Sequence, residues 1–573
     1  MHRNAILSSL AIGAAAIAAS QGAMALNQAA VDPIVGTVNE FFFSGSSALD
    51  NDISNIMTTY CNAGTLNVWQ DIDAKGVKGA NWKAYTCTFS GNAALPASLQ
   101  NQSVIIHKRE KEGSVYGSLP LPSNSYVEFM NLKSTRASGA CVVDGSAFDC
   151  TIGAFPVAPA VNTTRGNPRH DAFYGGLATE VTPGVGGNLN DDECDYQQAA
   201  PVNPVATDLD KDTICRRTTL GFSDTEAEMF RLSNINARPN ASDPVNADDW
   251  AQLTSAQISG LTRKRTAGQV FGVIVSKSVF SALQLAQGIP VADPVTDGSA
   301  SNWPTLSKDQ IRQLLAGAAH WSDVVHGVTL AGTLNNVAIC RRDQGSGTQA
   351  ASNQFFFNYP CDTTNQAPAR DTGGLALASG LYVAENFSGP YVKYCMNQAE
   401  AGQLLDSTST PSTFGAIGIL NANGDPSGSN TPLPDTWRWV KIDGSAPTLK
   451  NAILGIYDDW YEFQVAYKTS GGVNATEKAL NDFVIAQLGT PSLISNASDK
   501  GIAALSVNGY VWDDGVNNAA GVFPANDFGP FASPVMGGKH GGTNTFNTSG
   551  PPTSCRLIQN AVDQAANLPD RKQ

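Results

Sequence analysis

Arg341-Arg342-Asp343-Gln344-Gly345-Ser346-Gly347-Thr348 follows a short apolar run, Val337 to Cys340, and precedes a stretch from Gln349 to Phe357 that reads as a helix. Glycines at 345 and 347 let the backbone turn without a Cβ clash, so the amides of Ser346, Gly347 and Thr348 can converge on an anion at the helix N-terminus. The Ser346 and Thr348 hydroxyls add donors. Arg342, just ahead of the turn, carries a planar fork that suits the side of a tetrahedral oxyanion. The same letters also serve a glycine turn that merely caps a helix, and the octapeptide alone does not separate the two.

Working outward, the order of strand, glycine turn and helix recurs. Val38 to Phe43 reads as a buried strand, Ser44-Gly45-Ser46-Ser47 as a turn, and Ala48 to Tyr60 as a helix. Val104 to His107 is a third short strand, followed by the charged run Lys108-Arg109-Glu110-Lys111-Glu112, which reads as a solvated loop face, and by Gly113-Ser114-Val115-Tyr116-Gly117. Val270 to Val275 is an unbroken apolar run, the mark of a strand covered on both faces. Ser307 and Gln310 form a capping box ahead of Ile311, Leu314 and Leu315, and Gly317 supplies the stop. Phe414 to Ile419 and Trp437 to Ile442 read as later strands. Thr476 to Leu488 reads as a helix, with Leu480, Phe483, Val484 and Leu488 at helical spacing. This alternation predicts an α/β fold with a largely parallel sheet. From Leu119 to Thr219 the pattern breaks into Pro, Gly, Asn, Thr and Asp clusters with four cysteines, as in an inserted, disulfide-stapled region. Asp208 to Asp212 imitates the start of a calcium loop, but Thr213 and Thr219 stand where glycine and a bidentate Glu are required.

A chain of 573 residues exceeds the size at which one core stops growing, so two domains are expected. Met1 to Ala25 has a basic start, a small-residue apolar stretch and Ala23-Met24-Ala25, the pattern of a cleaved signal peptide. No cysteine follows closely, which argues against a lipid anchor, and no later stretch approaches the ~20 apolar residues of a membrane span. The expected product is a soluble periplasmic or secreted protein. The full sequence has a formal charge of -14, which becomes -15 once Arg3 leaves with the signal segment, and this balance repels nucleic acid and anionic lipid, so an anion has to be held by local geometry. Ten cysteines in an exported chain predict disulfides. Pairing neighbours gives Cys61 with Cys87, Cys141 with Cys150, Cys194 with Cys215 and Cys340 with Cys361, leaving Cys395 for Cys555. His107, His170, His320, His326 and His540 are scattered, and neither H-E-x-x-H nor G-x-S-x-G occurs, so no catalytic residue, cofactor or metal is expected.

Taken together these segments resemble, in order, the periplasmic phosphate-binding proteins of the PstS type, which include the DING proteins. Arg342 to Thr348 matches the family's R-x-x-G-S-G-T loop, Ser44 to Ser47 its first glycine-serine turn and Gly113 to Gly117 its second. Gly221-Phe222-Ser223-Asp224 is similar to its G-x-S-D segment, Gly317 to Asp323 to G-x-I-x-x-W-x-D, Phe414 to Ile419 to G-A-I-G-Y, and Lys441 to Thr448 to K-I-D-G-V-A-P-T. Agreement covers residues 38 to 120 and 220 to 490. The resemblance implies a type 2 periplasmic-binding-protein clamshell whose two lobes are each a mostly parallel sheet flanked by helices. It divides the chain into 26–275 with 440–573 as lobe 1, carrying the insertion at about 119–219, and 276–439 as lobe 2. The implied ligand is inorganic phosphate or a similar oxyanion. Ser46, Ser47, Ser114 and Asp224 would face it from one lobe and Arg342, Gly345, Ser346, Gly347 and Thr348 from the other. The implied partner is an ATP-driven (ABC) importer. Many members carry Asp where this chain has Gln344, which leaves Asp224 to accept the ligand's proton. Two other readings of the chain remain: a phosphohydrolase, and an extracellular structural or adhesive protein that reuses the fold.

Overall fold

The computed structural model describes residues 39–72, 78–111, 113–124, 126–132, 141–144, 147–151, 213–230, 253–291, 300–343, 345–359, 380–386, 388–405, 411–422, 435–448, 451–452 and 456–488, with short strand segments at 504–506, 509–511 and 530–532. The signal-like segment, Gln344, Cys194, Cys361, Cys555, the calcium-like stretch and the C-terminal tail after residue 532 lie outside them.

In the first lobe, β1 (Asn39–Gly45) pairs parallel with β4 (Ser103–Arg109) and with β9 (Leu220–Ser223). The apolar letters of these strands run together and their side chains alternate between the two faces, so Phe41, Phe43, Ile106 and Phe222 bury one face of the ladder. Onto that face pack Ile53, Ile56 and Met57 of helix α1 (Asp50–Tyr60) and Leu480, Phe483 and Val484 of the late helix α6 (Ala475–Leu488). Beyond β4 the sheet continues antiparallel through β3 (Lys78–Thr88) and β2 (Asn67–Ile72). Part of the region between 119 and 219 extends this sheet. Strands β6 (Cys141–Asp144) and β7 (Ala147–Thr151) form a hairpin whose β7 adds parallel to β2, while β5 (Tyr126–Met130) and β8 (Thr213–Arg217) pair with each other.

In the second lobe, β12 (Val337–Arg342) lies between β13 (Leu381–Asn386) and β16 (Gly415–Asn421), all parallel. Strand β10 (Leu261–Ser276) pairs antiparallel with β16 and with β17 (Trp437–Trp439). Helices α2 (Lys277–Ala286), α3 (Lys308–Leu315), α4 (Gly347–Phe357) and α5 (Gly389–Ala401) surround this ladder. The capping box of α3 forms as its sequence requires: Gln310 N donates to Ser307 Oγ at 3.1 Å and Ser307 N donates to Gln310 Oε1 at 2.9 Å. Short strands β11 (Thr305–Leu306) and β18 (Lys441–Ile442) pair beside it, as do β14 (Leu404–Leu405) and β15 (Pro411–Ser412).

One strand pair carries the chain between the lobes. β10 runs antiparallel to β19 (Trp460–Lys468) from Leu261 opposite Lys468 to Val270 opposite Trp460, with a register slip between Arg265 and Gly268. Trp460 and Tyr461 belong to the core of the second lobe, whereas Phe463, Val465 and Tyr467 belong to that of the first. The change of core therefore falls opposite the slip. The fold is α/β and two-lobed, with a parallel ladder at the centre of each lobe and antiparallel strands on its flanks.

Cys61–Cys87 and Cys141–Cys150 are bonded as neighbour pairing predicts. Cys340 is not paired with Cys361 and Cys395 is not left for Cys555, because Cys340 bonds Cys395 across a separation of 55 residues. Helix α5 packs directly on β12 and β16, which brings the two sulfurs together irrespective of distance along the chain. If chain entropy governs, this long loop stabilises by about 4 kcal/mol and the nine-residue loop of Cys141–Cys150 by about 2.5 kcal/mol. Replacing both cysteines of each pair by alanine and comparing denaturation curves should reproduce that order; equal losses would refute it.

Candidate anion-binding site

Lobe 1 builds its part of the site on a close backbone crossing. Ser46 N donates to Phe222 O at 2.9 Å, and Ser44 Oγ donates to Tyr116 O at 2.6 Å. A Cβ on Gly117 would stand 1.9 Å from Phe222 O, and one on Gly221 would stand 2.0 Å from Gly117 O. Only glycine allows the end of β1, the end of β9 and the 3-10 turn Gly113–Gly117 to touch main chain to main chain. The crossing brings Ser46, Ser114 and Asp224, far apart in sequence, onto one spot.

Lobe 2 contributes the start of α4. Ser346 is its N-cap, with Oγ accepting from Gln349 N at 3.3 Å, while Ser346 N donates to Asp343 O at 3.2 Å. The Ser346 amide is thus committed to the turn and not turned towards a ligand, unlike the sequence expectation. The amides of Gly347 and Thr348 open the helix, where the i−4 acceptor is missing. Gly345 joins the lobes, its carbonyl accepting from Val115 N at 2.9 Å. Gly347 lies so close that a Cβ would meet Ser114 Oγ at 2.4 Å and Asp224 Oδ2 at 2.8 Å.

Asp224 is the centre of the cluster. Ser46 Oγ donates to its Oδ1, Thr348 Oγ1 donates to its Oδ2 at 3.4 Å, and its own amide donates to Ser114 Oγ at 3.2 Å. Burial pushes the Asp224 carboxyl above its ordinary value and outweighs Ser46, Arg342, Ser114 and Thr348, all of which favour the anion. Arg342 is buried, 3.8 Å from Asp343 Oδ1 through Nη2, and donates from Nε to Asn386 O at 3.2 Å. Burial lowers its pKa too, against the charges of Asp343, Asp224 and Glu110. The arrangement is one buried carboxylate among hydroxyls, two helix-start amides and a guanidinium. Such a set can hold an oxyanion and test whether it carries a proton.

Of the expected residues, Ser47 stands apart and lines a neighbouring cavity. The charged run after β4 departs from the sequence reading. Lys108, Arg109, Glu110 and Lys111 are all buried, not solvated. Lys108 Nζ donates to Gly45 O at 3.2 Å and Ser46 O at 2.6 Å, holding the first loop, and the Arg109 guanidinium lies 4.1 Å from the Tyr116 ring centre. The only hint in the sequence is that this run follows an apolar strand and leads into glycine. His107 stacks on Phe42 at 4.7 Å, and His320 lies 3.2 Å from Asp323.

No protein-family model matches the chain, and no curated protein does. Among solved structures, a protein described as a phosphate ABC transporter substrate-binding protein with bound phosphate, from Clostridium perfringens, is 14% identical with a TM-score of 0.27, covering 49% of this chain and 77% of its own. An ABC-type phosphate transport receptor from Vibrio cholerae gives 14%, 0.26, 49% and 78%. PstS from Borrelia burgdorferi gives 14%, 0.24, 43% and 75%. The chain is similar to these phosphate-binding proteins. The site itself rests on its own geometry.

Two outcomes follow from that geometry. Gly117→Ala should destabilise by about 1 to 3 kcal/mol or more, since the clash is with backbone that cannot swing away; a denaturation midpoint equal to wild type would refute the crossing. Asp224, with a folded pKa above its unfolded value, holds its proton more tightly in the native state, so its contribution to stability is lost as pH rises through the folded pKa. Asp224→Asn should therefore make the ligand-free protein more stable at neutral pH and flatten the decline above pH ~4. Parallel stability–pH profiles would contradict this.

Proposed function

We propose that the protein captures inorganic phosphate between its two lobes. The observation that supports this reading best is the meeting of Ser46, Ser114 and Asp224 from one lobe with Arg342 and the start of α4 from the other, since neither lobe alone supplies a full set of donors. The Gly347 and Thr348 amides, the Ser114 hydroxyl and Arg342 donate to the ligand, while the Ser46 and Thr348 hydroxyls hold Asp224; Asp224 accepts from HPO4²⁻ but meets only lone pairs on sulfate. In this proposal the lobes pivot where β10 and β19 change core, which sets the boundaries near Gly268 and Glu462 in place of the expected 275 and 440. The disulfides support an oxidising compartment, periplasmic or extracellular, as the place of this work. Among the described residues no helix is long and apolar enough to cross a membrane, and delivery to an ATP-driven importer in the membrane is the role the proposal assigns.

Calorimetric titration with phosphate, arsenate and sulfate tests the reading, with phosphate and arsenate expected to bind and sulfate to bind poorly. Arg342→Ala leaves the buried dianion without its charged donor and should weaken phosphate by about 3 to 5 kcal/mol in a protein that still folds. Asp224→Asn substitutes a group able to donate, so the ratio of phosphate to sulfate affinity should fall roughly tenfold. Unchanged phosphate affinity in a folded Arg342→Ala protein would overturn the site.

A further inference from the structure

A cavity of about 240 Å³ lies beside the anion site, between β3 and the residues just after β1 and β4 in one lobe and the start of α5, the end of β16 and β17 in the other. At about 30 Å³ per water molecule in the liquid, that is space for a chemical group well beyond the oxygens of one phosphate. The two compartments adjoin. Ser47 lines the cavity and follows Ser46 in the chain, while Glu110 lines it and also acts electrostatically on Arg342.

The walls carry ammonium groups from both lobes. Lys78 and Lys83 come from β3, and Lys393 comes from α5. Lys83 is bonded to Asp50 and lies 3.4 Å from Glu110 Oε1; Lys78 lies 2.7 Å from Asp149 Oδ2. Lys393 Nζ sits 5.3 Å from the centre of the Trp437 ring, which faces it from the cavity wall. Burial, and after it the charge of Asp50, raises the Glu110 carboxyl well above its usual range, which reduces the negative charge on this wall. Like charges brought together from two lobes oppose closure, and an anion placed between them reverses the sign. In a chain of net charge -14, cations gathered from both sides of a cleft call for a local reason.

We propose that this cavity is a second compartment of the same binding site, and that it takes an anionic group joined covalently to the phosphoryl group, as in diphosphate or a phosphorylated or phosphonate carboxylate. The inference rests on the anion-site reading above. The phosphoryl end occupies the Arg342 and Asp224 cluster, and the second anionic group meets Lys83 and Lys393 from opposite lobes.

Titration of the full-length mature protein with phosphate, diphosphate, phosphonoacetate and glycerol 1-phosphate tests it. Diphosphate and phosphonoacetate should bind about tenfold more tightly than glycerol 1-phosphate, whose second group is neutral. Lys393→Gln should reduce that preference about fivefold or more, and Lys83→Met should act in the same direction. Because Lys83 is partly buried and paired with two carboxylates, Lys393→Gln carries the decision if Lys83→Met fails to fold. Phosphate binding accompanied by equal affinities for the other three probes would overturn the second compartment and leave the anion site standing. A preference unchanged in Lys393→Gln would do the same. If phosphate and all three other probes fail to bind, the anion site falls and this proposal falls with it.

Discussion

The Phe222 carbonyl is the constraint on which the site depends. It accepts the Ser46 amide while Gly45 and Gly117 lie against it with no room for a Cβ. The consequence is positional. Three turns from distant parts of the chain share one contact, so the hydroxyls of Ser46 and Ser114 and the carboxyl of Asp224 are fixed relative to one another by main chain, with little rotamer freedom left to lose. Burying a carboxylate is costly, and here short side chains on rigid turns offset only part of the cost, the remainder showing as the raised pKa of Asp224.

The second lobe solves a different problem with similar means. The α4 N-terminus supplies partial positive charge, Ser346 fixes the first turn, and Gly347 removes the side chain that would separate that turn from Asp224. The lobes meet through main chain at Val115 and Gly345 and through apolar contact at Ala80 and Tyr391. Around those contacts the charged groups are arranged in pairs, with Lys83, Lys108, Asp50 and Glu110 close together at the edge of the cleft.

Much of this was legible in the letters. The apolar run at Val270 to Val275, the Ser307 capping box, and the strand, glycine and helix order around Arg342 each depend on local periodicity or local hydrogen bonding, and each forms close to where its residues predict. What was not legible depends on contacts between distant segments. Cys340 finds Cys395 because a helix packs over a strand. Lys108 to Lys111 are buried because β3, α1, β5 and the Tyr116 turn lie against them, and no property of the tetrapeptide records that cover. The Ser346 amide turns inward to Asp343 O, a choice made by turn geometry that composition does not encode.

The exchange of cores within β19 has a consequence for the order in which the molecule is made. The second core draws on residues from Val270 to Tyr461, one continuous stretch, whereas the first joins Phe41 to partners as late as Leu488. During synthesis the amino-terminal strands emerge first but lack Phe463, Val465 and α6, so one face of their ladder has nothing to pack on until most of the chain is present. The middle of the chain can reach its native packing earlier. The lobe that begins the polypeptide is thus the one that finishes folding last, and its unpacked phenylalanines are the surface a chaperone would have to shield in the interval.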